Sequence, residues 1–133
     1  MTTDEPRWLR REAILSIHAR QLAEHGGMPG VRDEGLLDAA LARPLPIWSY
    51  ESPPPDTARL AAAYAWVILR KHPFADGNKR TAYIAMRSFL IANDMDVTAS
   101  LEERYLTMLA AAAGEIDEST FVAWVRANSA PAS

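Results

Sequence analysis

The 133 residues carry 49% hydrophobic and 23% charged side chains with a formal net charge of -3, the balance of one soluble globular domain without a global basic field for nucleic acid. Cysteine is absent, which excludes disulfides, thiol catalysis and cysteine-ligated metal centres and suits a cytoplasmic protein. The opening residues lack a basic segment followed by an apolar core, and the longest apolar run, Leu60 to Leu69, is too short for a bilayer, so neither a secretory leader nor a membrane partner is expected.

In chain order the pattern is all-α, about six helices with little strand signal. Pro6 suits a first helical turn, and apolar residues recur at Leu9, Ala13, Ile14, Ile17 and Leu22 until Gly26-Gly27 stops the pattern. Met28 to Arg32 reads as a Gly/Pro turn. Asp33 can cap a second short helix with Leu36, Leu37, Ala40 and Leu41 inward and Pro44 beyond its end. Residues 44 to 55 then hold Pro44, Pro46, Pro53, Pro54 and Pro55 around Ile47, Trp48 and Tyr50, a composition that predicts a stiff extended loop and forbids a helix.

Asp56 caps a segment that is apolar almost all round through Leu69, the mark of a helix buried at the centre of its domain. The following helix starts near Asn78, with Ala82, Ala85, Met86, Phe89 and Leu90 at helical spacing. Ser100 and Glu103 form a capping box for a fifth helix that ends near Ala113 and Gly114. A sixth runs from about Ser119 to Asn128 with Phe121, Val122 and Val125 inward. Residues 1–128 thus form one domain without repeat or linker, and 129–133 are expected to be a loose tail.

Between the buried helix and its successor lies His72-Pro73-Phe74-Ala75-Asp76-Gly77-Asn78-Lys79-Arg80-Thr81-Ala82. Pro73 ends the buried helix, so His72 is held by rigid core yet displayed at the start of a loop, as a general base must be. A histidine that only caps the helix C-terminus would occupy the same place. Gly77 permits a turn that aims backbone N–H groups outward, and the helix that follows offers free N–H groups to an anion. Lys79 and Arg80 stand in its first turn, where the dipole disfavours cations unless an anion sits there. Asp76 can hold Mg2+, which takes one or two carboxylates plus phosphate oxygens, or can be a plain N-cap. Phe74 is an apolar anchor for the loop. A base, a metal carboxylate, an anion nest and cations without a protein nucleophile suit group transfer from a nucleotide to an incoming hydroxyl. Arg80, Tyr83 and Arg87 share one helix face, with Arg80 the better phosphate candidate.

These residues resemble the Fic/Doc superfamily, whose Fic branch carries HPFx[DE]GNGRxxR. His72, Pro73, Phe74, Asp76, Gly77, Asn78 and Arg80 fit; Lys79 stands where that branch has glycine and Tyr83 where it has a second arginine. Both departures look like the Doc (death-on-curing) branch, which reads on as Asn78-Lys79-Arg80-Thr81-Ala82 does. His25 to Gly30, Arg32 to Leu37 and Ala113 to Ile116 also resemble family segments, so most of the chain is covered.

The resemblance implies an all-helical toxin of a type II toxin–antitoxin module, a kinase-like enzyme that uses ATP to phosphorylate a threonine of elongation factor Tu and so stops translation. It makes His72 the base, Asp76 the Mg2+ ligand, Gly77 the shaper of the anion nest, and Asn78, Lys79 and Arg80 the holders of phosphate. Lys79 would fill the room Fic enzymes leave for an α-phosphate, so the nucleotide would present its γ-phosphate; adenylylation of Fic type, or a quiet nucleotide- or partner-binding module, are the alternatives. The Pro-rich stretch would be a target-docking flap with Trp48 and Tyr50 as aromatic contacts, or a packed surface loop. Thr98 to Glu102 fits part of the self-restraining [ST]xxxE[GN] pattern, but the cap at Ser100 explains it better. Restraint is then expected from a cognate antitoxin whose disordered tail folds onto the protein.

Overall fold

The computed structural model describes residues 5–132; residues 1–4, at the start of the stretch read for a leader, and the last tail residue, 133, lie outside the described residues. Seven helices are present among the described residues: α1 (Arg11–His25), α2 (Glu34–Ala42), α3 (Pro44–Tyr50), α4 (Thr57–Lys71), α5 (Asn78–Ala92), α6 (Leu101–Ala113) and α7 (Glu118–Ala127). Two short strands, β1 (Met95–Val97) and β2 (Ser129–Pro131), complete the order.

The helix that lacks a polar face is the centre of the molecule. Every residue of α4 from Leu60 to Leu69 is buried except the half-buried Trp66, and α2, α3, α5, α6 and α7 all pack against it. A helix so surrounded gains from apolar side chains on every side. Its neighbour α5 buries Ala82, Ala85, Met86, Phe89 and Leu90, the stripe expected from their spacing. Four caps are formed by the expected side chains or by near neighbours. Asp33, Asp56, Ser100 and Asp117 accept hydrogen bonds from the N–H groups of Leu36, Arg59, Glu103 and Thr120.

The structure corrects the sequence reading in three places. The prolines do not exclude a helix over 44–50. Pro44 and Pro46 fall in the first turn of α3, where N–H groups have no intrahelical partner to lose, and only Pro53, Pro54 and Pro55 remain outside it. Pro6 does not start α1, because the backbone before Arg11 is pinned elsewhere. The Arg7 N–H donates to Asn93 Oδ1 at 2.9 Å and the Leu9 N–H to the Tyr64 hydroxyl at 3.2 Å. Trp8 stacks on Phe89 with centroids 6.0 Å apart. Lastly, Ser129–Pro131 is not a loose tail but an antiparallel partner of β1, with Asp96 opposite Ala130. Bonds from Thr98 N–H to Asn128 O (2.7 Å) and from Ala132 N–H to Asp94 O (2.9 Å) extend the pairing at both ends. Three-residue strands are too short for period-two alternation to register in sequence.

Candidate active site

The chain leaves α4 through His72, whose backbone adopts the left-handed conformation at φ 56° and ψ 65°. That conformation turns the chain sharply, and Arg32 holds the turn from outside. Its guanidinium donates to the carbonyls of Lys71 (2.6 Å) and His72 (2.8 Å), satisfying oxygens that a helix C-terminus leaves without partners. The segment after α1 then runs beside the loop as a second rail. Arg32 and Asp33 N–H groups both donate to Pro73 O, and Ala75 N–H donates to Gly30 O.

Phe74 is the anchor, as expected. It is 1% exposed, and burying a side chain of its size contributes about 1.5–3 kcal/mol. His18 of α1 stacks on its ring at 3.9 Å with an interplanar angle of 12°. The same imidazole reaches the Asp76 carbonyl, Nε2 to O 2.8 Å. A carbonyl can only accept, so Nε2 carries the proton. Asn78 closes the loop from the other side: its Oδ1 accepts from Phe74 N–H and its Nδ2 donates to Phe74 O, each at 3.0 Å. The Asn78 side chain is therefore a brace for the loop, and what the residue offers an anion is its backbone N–H.

Asp76 is exposed to solvent. Its Oδ1 accepts from Gly77 N–H at 2.9 Å and its Oδ2 from Met28 N–H at 3.3 Å. Those two backbone donors, Gly77 first, hold the carboxyl below the usual range, so it stays ionised. Each oxygen retains a further lone pair, which leaves room for a cation. Gly77 has φ 74° and gives α5 no side-chain cap, so the first N–H groups of the helix are uncovered. No carboxylate among the described residues pairs with Lys79 or Arg80.

His72, Asp76, Gly77, Asn78, Lys79 and Arg80 all line one cavity of about 680 Å³. Its other walls come from Gln21 and His25 of α1, from Tyr83 and Ile84 further along α5, and from Leu101, Arg104, Tyr105 and Met108 of α6. Burial pushes the Tyr83 hydroxyl up from its ordinary pKa, which keeps it neutral. Arg87, on the same helix face, is engaged by Asp96 at 2.9 and 3.1 Å and does not line the cavity.

The two aromatics of the Pro-rich stretch have separated. Trp48 is half-buried and packs edge-on against Trp8 at 6.4 Å, so it covers the core. Tyr50, 85% exposed, borders a second cavity of similar size but different character, an apolar groove with Leu36, Ile47, Val67 and Lys71. The chemistry-bearing residues belong to the first cavity, and Lys71 of the groove adjoins His72.

Sequence reasoning passed over His18, Gln21, Gly27 and Arg104. The first two had a visible signal: Ile14, His18 and Gln21 at i, i+4 and i+7 are the buried stripe of α1, and two of the three are polar. Gly27 was visible only as a helix stop in a family-like segment; its contact with Asp76, and the place of Arg104 in the cavity wall, come from distant segments and had no signal.

The Fic/DOC family model matches residues 8–90. The chain is 34% identical over 114 residues to "Protein kinase doc" of Escherichia phage P1, covering 86% of this chain and 89% of that protein. It is 40% identical over 95 residues to "Toxin Doc" of Mycolicibacterium smegmatis, covering 71% of each.

Proposed function

The chain belongs to the Fic/DOC family, and on that premise we propose that it is a Doc-type toxin that transfers the γ-phosphate of ATP to a threonine hydroxyl of a translation factor, elongation factor Tu. The observation that carries the reading is the convergence in one cavity of His72, the ionised Asp76 and the unpaired Lys79 and Arg80 at an uncapped helix start. The names of the two relatives, a protein kinase and a toxin, support it.

In this mechanism the target hydroxyl loses its proton to a ring nitrogen of His72. Its oxygen attacks the γ-phosphorus in line, and the bond to the β–γ bridging oxygen breaks as ADP leaves. The backbone N–H groups at the start of α5, with Lys79 and Arg80, hold the phosphate oxygens and meet the charge that develops on them. Asp76 would hold Mg2+, which supplies charge neutralisation of the phosphates when bound. The fit is that of a hard cation on a single carboxylate: among the described residues no cluster of three or more metal-ligating side chains forms a protein cage. Lys79 in the first turn occupies room near the helix start and favours a nucleotide that presents its terminal phosphate to His72.

Restraint belongs to a cognate antitoxin with a disordered tail. The segment Thr98 to Glu102 is taken up by the cap of α6, in which Ser100 Oγ accepts from Glu103 N–H at 3.2 Å.

The test is transfer of label to purified elongation factor Tu from γ-labelled and α-labelled ATP in parallel, with Mg2+. Label from the γ position alone is expected. Label from the α position would make the protein an adenylyltransferase, and nucleotide binding without any transfer, to this or other targets, would make it a binding module.

A further inference from the structure

The cavity contains a cation that the motif does not supply. Arg104 lies on α6, four residues past its cap, and is half-buried in the wall beyond Tyr83. Its Nε donates to the Ala99 carbonyl at 2.9 Å, which fixes the direction of the guanidinium. The guanidinium carbon stands 5.6 Å from the centroid of the Tyr83 ring, at cation–π distance. The carboxylate coupled to its charge is engaged elsewhere. Asp96, which feels its charge, is bound bidentately by Arg87, and no carboxylate among the described residues forms an ion pair with Arg104. The two terminal nitrogens have no hydrogen-bond partner among the described residues. A guanidinium anchored by one nitrogen, stacked on one face, partly withdrawn from water and left with two free donors is an incomplete arrangement. Its free nitrogens face the open cavity, where an anion can take the place of water.

Position tells what would complete it. Tyr83 follows Arg80 by one helical turn, so Arg104 stands deeper along α5 than the uncovered N–H groups, Lys79 and Arg80. A single phosphate at the helix start is served by that first set alone. An anion that engages both sets must be extended, and a chain of two or three phosphates is such an anion. Two parallel donors of a guanidinium match phosphate oxygens geometrically.

We infer that Arg104 is a second phosphate-binding residue of this cavity, one that makes it select nucleoside di- and triphosphates over monophosphates. The inference rests on the nucleotide reading of the site and assigns the far end of the polyphosphate to α6.

Calorimetric titration of the purified protein with ATP, ADP and AMP, each with Mg2+, tests it in wild type and Arg104→Gln. Loss of charge-assisted bonds predicts that the variant binds ATP and ADP about tenfold or more weaker, while AMP changes less than about twofold. Equal weakening for all three nucleotides, or for none, would make Arg104 a structural tie between α5 and α6 and overturn the assignment. If Arg104→Gln does not fold, Arg104→Lys carries the comparison. It keeps the charge without the Ala99 anchor, so ATP and ADP affinities below wild type with unchanged AMP support the inference, and a uniform loss or no loss refutes it. A wild-type protein that binds none of the three would instead refute the nucleotide reading of the whole cavity.

Discussion

Gly27 places a requirement on the site that no side chain announces. A Cβ at that position would stand 2.9 Å from Asp76 Oδ2 and 3.0 Å from Leu22 Cδ2, and its φ of 126° is one that L side chains rarely adopt. The missing atom is what lets the Asp76 carboxylate approach the Met28 N–H. Gly27→Ala should displace Asp76, and in label-transfer assays it should lower kcat at least about tenfold while far-ultraviolet dichroism stays helical. His72→Ala is the comparator. On the proposed mechanism its removal takes away the general base and costs about 10²–10⁴-fold, with nucleotide affinity unchanged because that mechanism assigns it no phosphate contact. Near-wild-type turnover in both variants would remove the assigned roles. The contrast between these residues explains what could be read in advance. His72 to Arg80 are contiguous, so their chemistry is legible without any fold. His18 and Met28, the neighbour of Gly27, reach the same loop across 58 and 48 residues of sequence, and only the packing of α1 beside α5 brings them there.

At the scale of elements, one arginine outside the motif determines whether the end of α4 is a usable position for a base. Arg32 bridges the last carbonyls of that helix while its own backbone N–H holds Pro73, so the left-handed turn at His72 is fixed from both directions. Non-glycine residues keep such a conformation only where the surroundings impose it. Arg32→Ala should cost about 1–2 kcal/mol, a drop of a few degrees in Tm, and should reduce kcat by more than the stability loss explains. Arg32→Lys should restore little, since an ammonium cannot present two parallel donors to two carbonyls. Unchanged turnover in a destabilised Arg32→Ala protein would mean that the turn survives without its clamp. The helix α3 illustrates the opposite limit of sequence reasoning. Proline content alone suggested a stiff loop over 44–55, yet position within the first turn decides whether a proline breaks a helix or starts one. The all-α class and the burial of α4 were legible because apolar residues on every face leave a long helix few other places to go.

Across the whole molecule, ionisation ties distant elements together and gives stability a defined pH window. Asp56 caps α4 and also binds Arg126 of α7 at 2.6 and 3.1 Å; that bond is the main cause of its lowered pKa. Arg87 lowers Asp96 in the same way where α5 meets β1, and the Thr120 N–H lowers Asp117 at the start of α7. A carboxylate whose pKa is lower folded than unfolded binds fewer protons in the fold. Its contribution is fully present above the unfolded value of about 4 and is lost as pH falls through the folded value. At the other end, burial raises Tyr64 and Tyr83, so the fold favours their neutral forms. Their contribution is present below the unfolded value of about 10 and is lost as pH rises through the folded one. Urea midpoints should therefore change little on this account between about pH 5 and 9 and fall on either side. Asp56→Asn separates the charge from the cap, because asparagine caps a helix about as well as aspartate. Its midpoint should be lower than wild type at neutral pH, and the two should converge as pH falls below about 4. A constant gap down to strong acid would show that Asp56 acts through packing alone, and that the α4–α7 contact owes nothing to its ion pair.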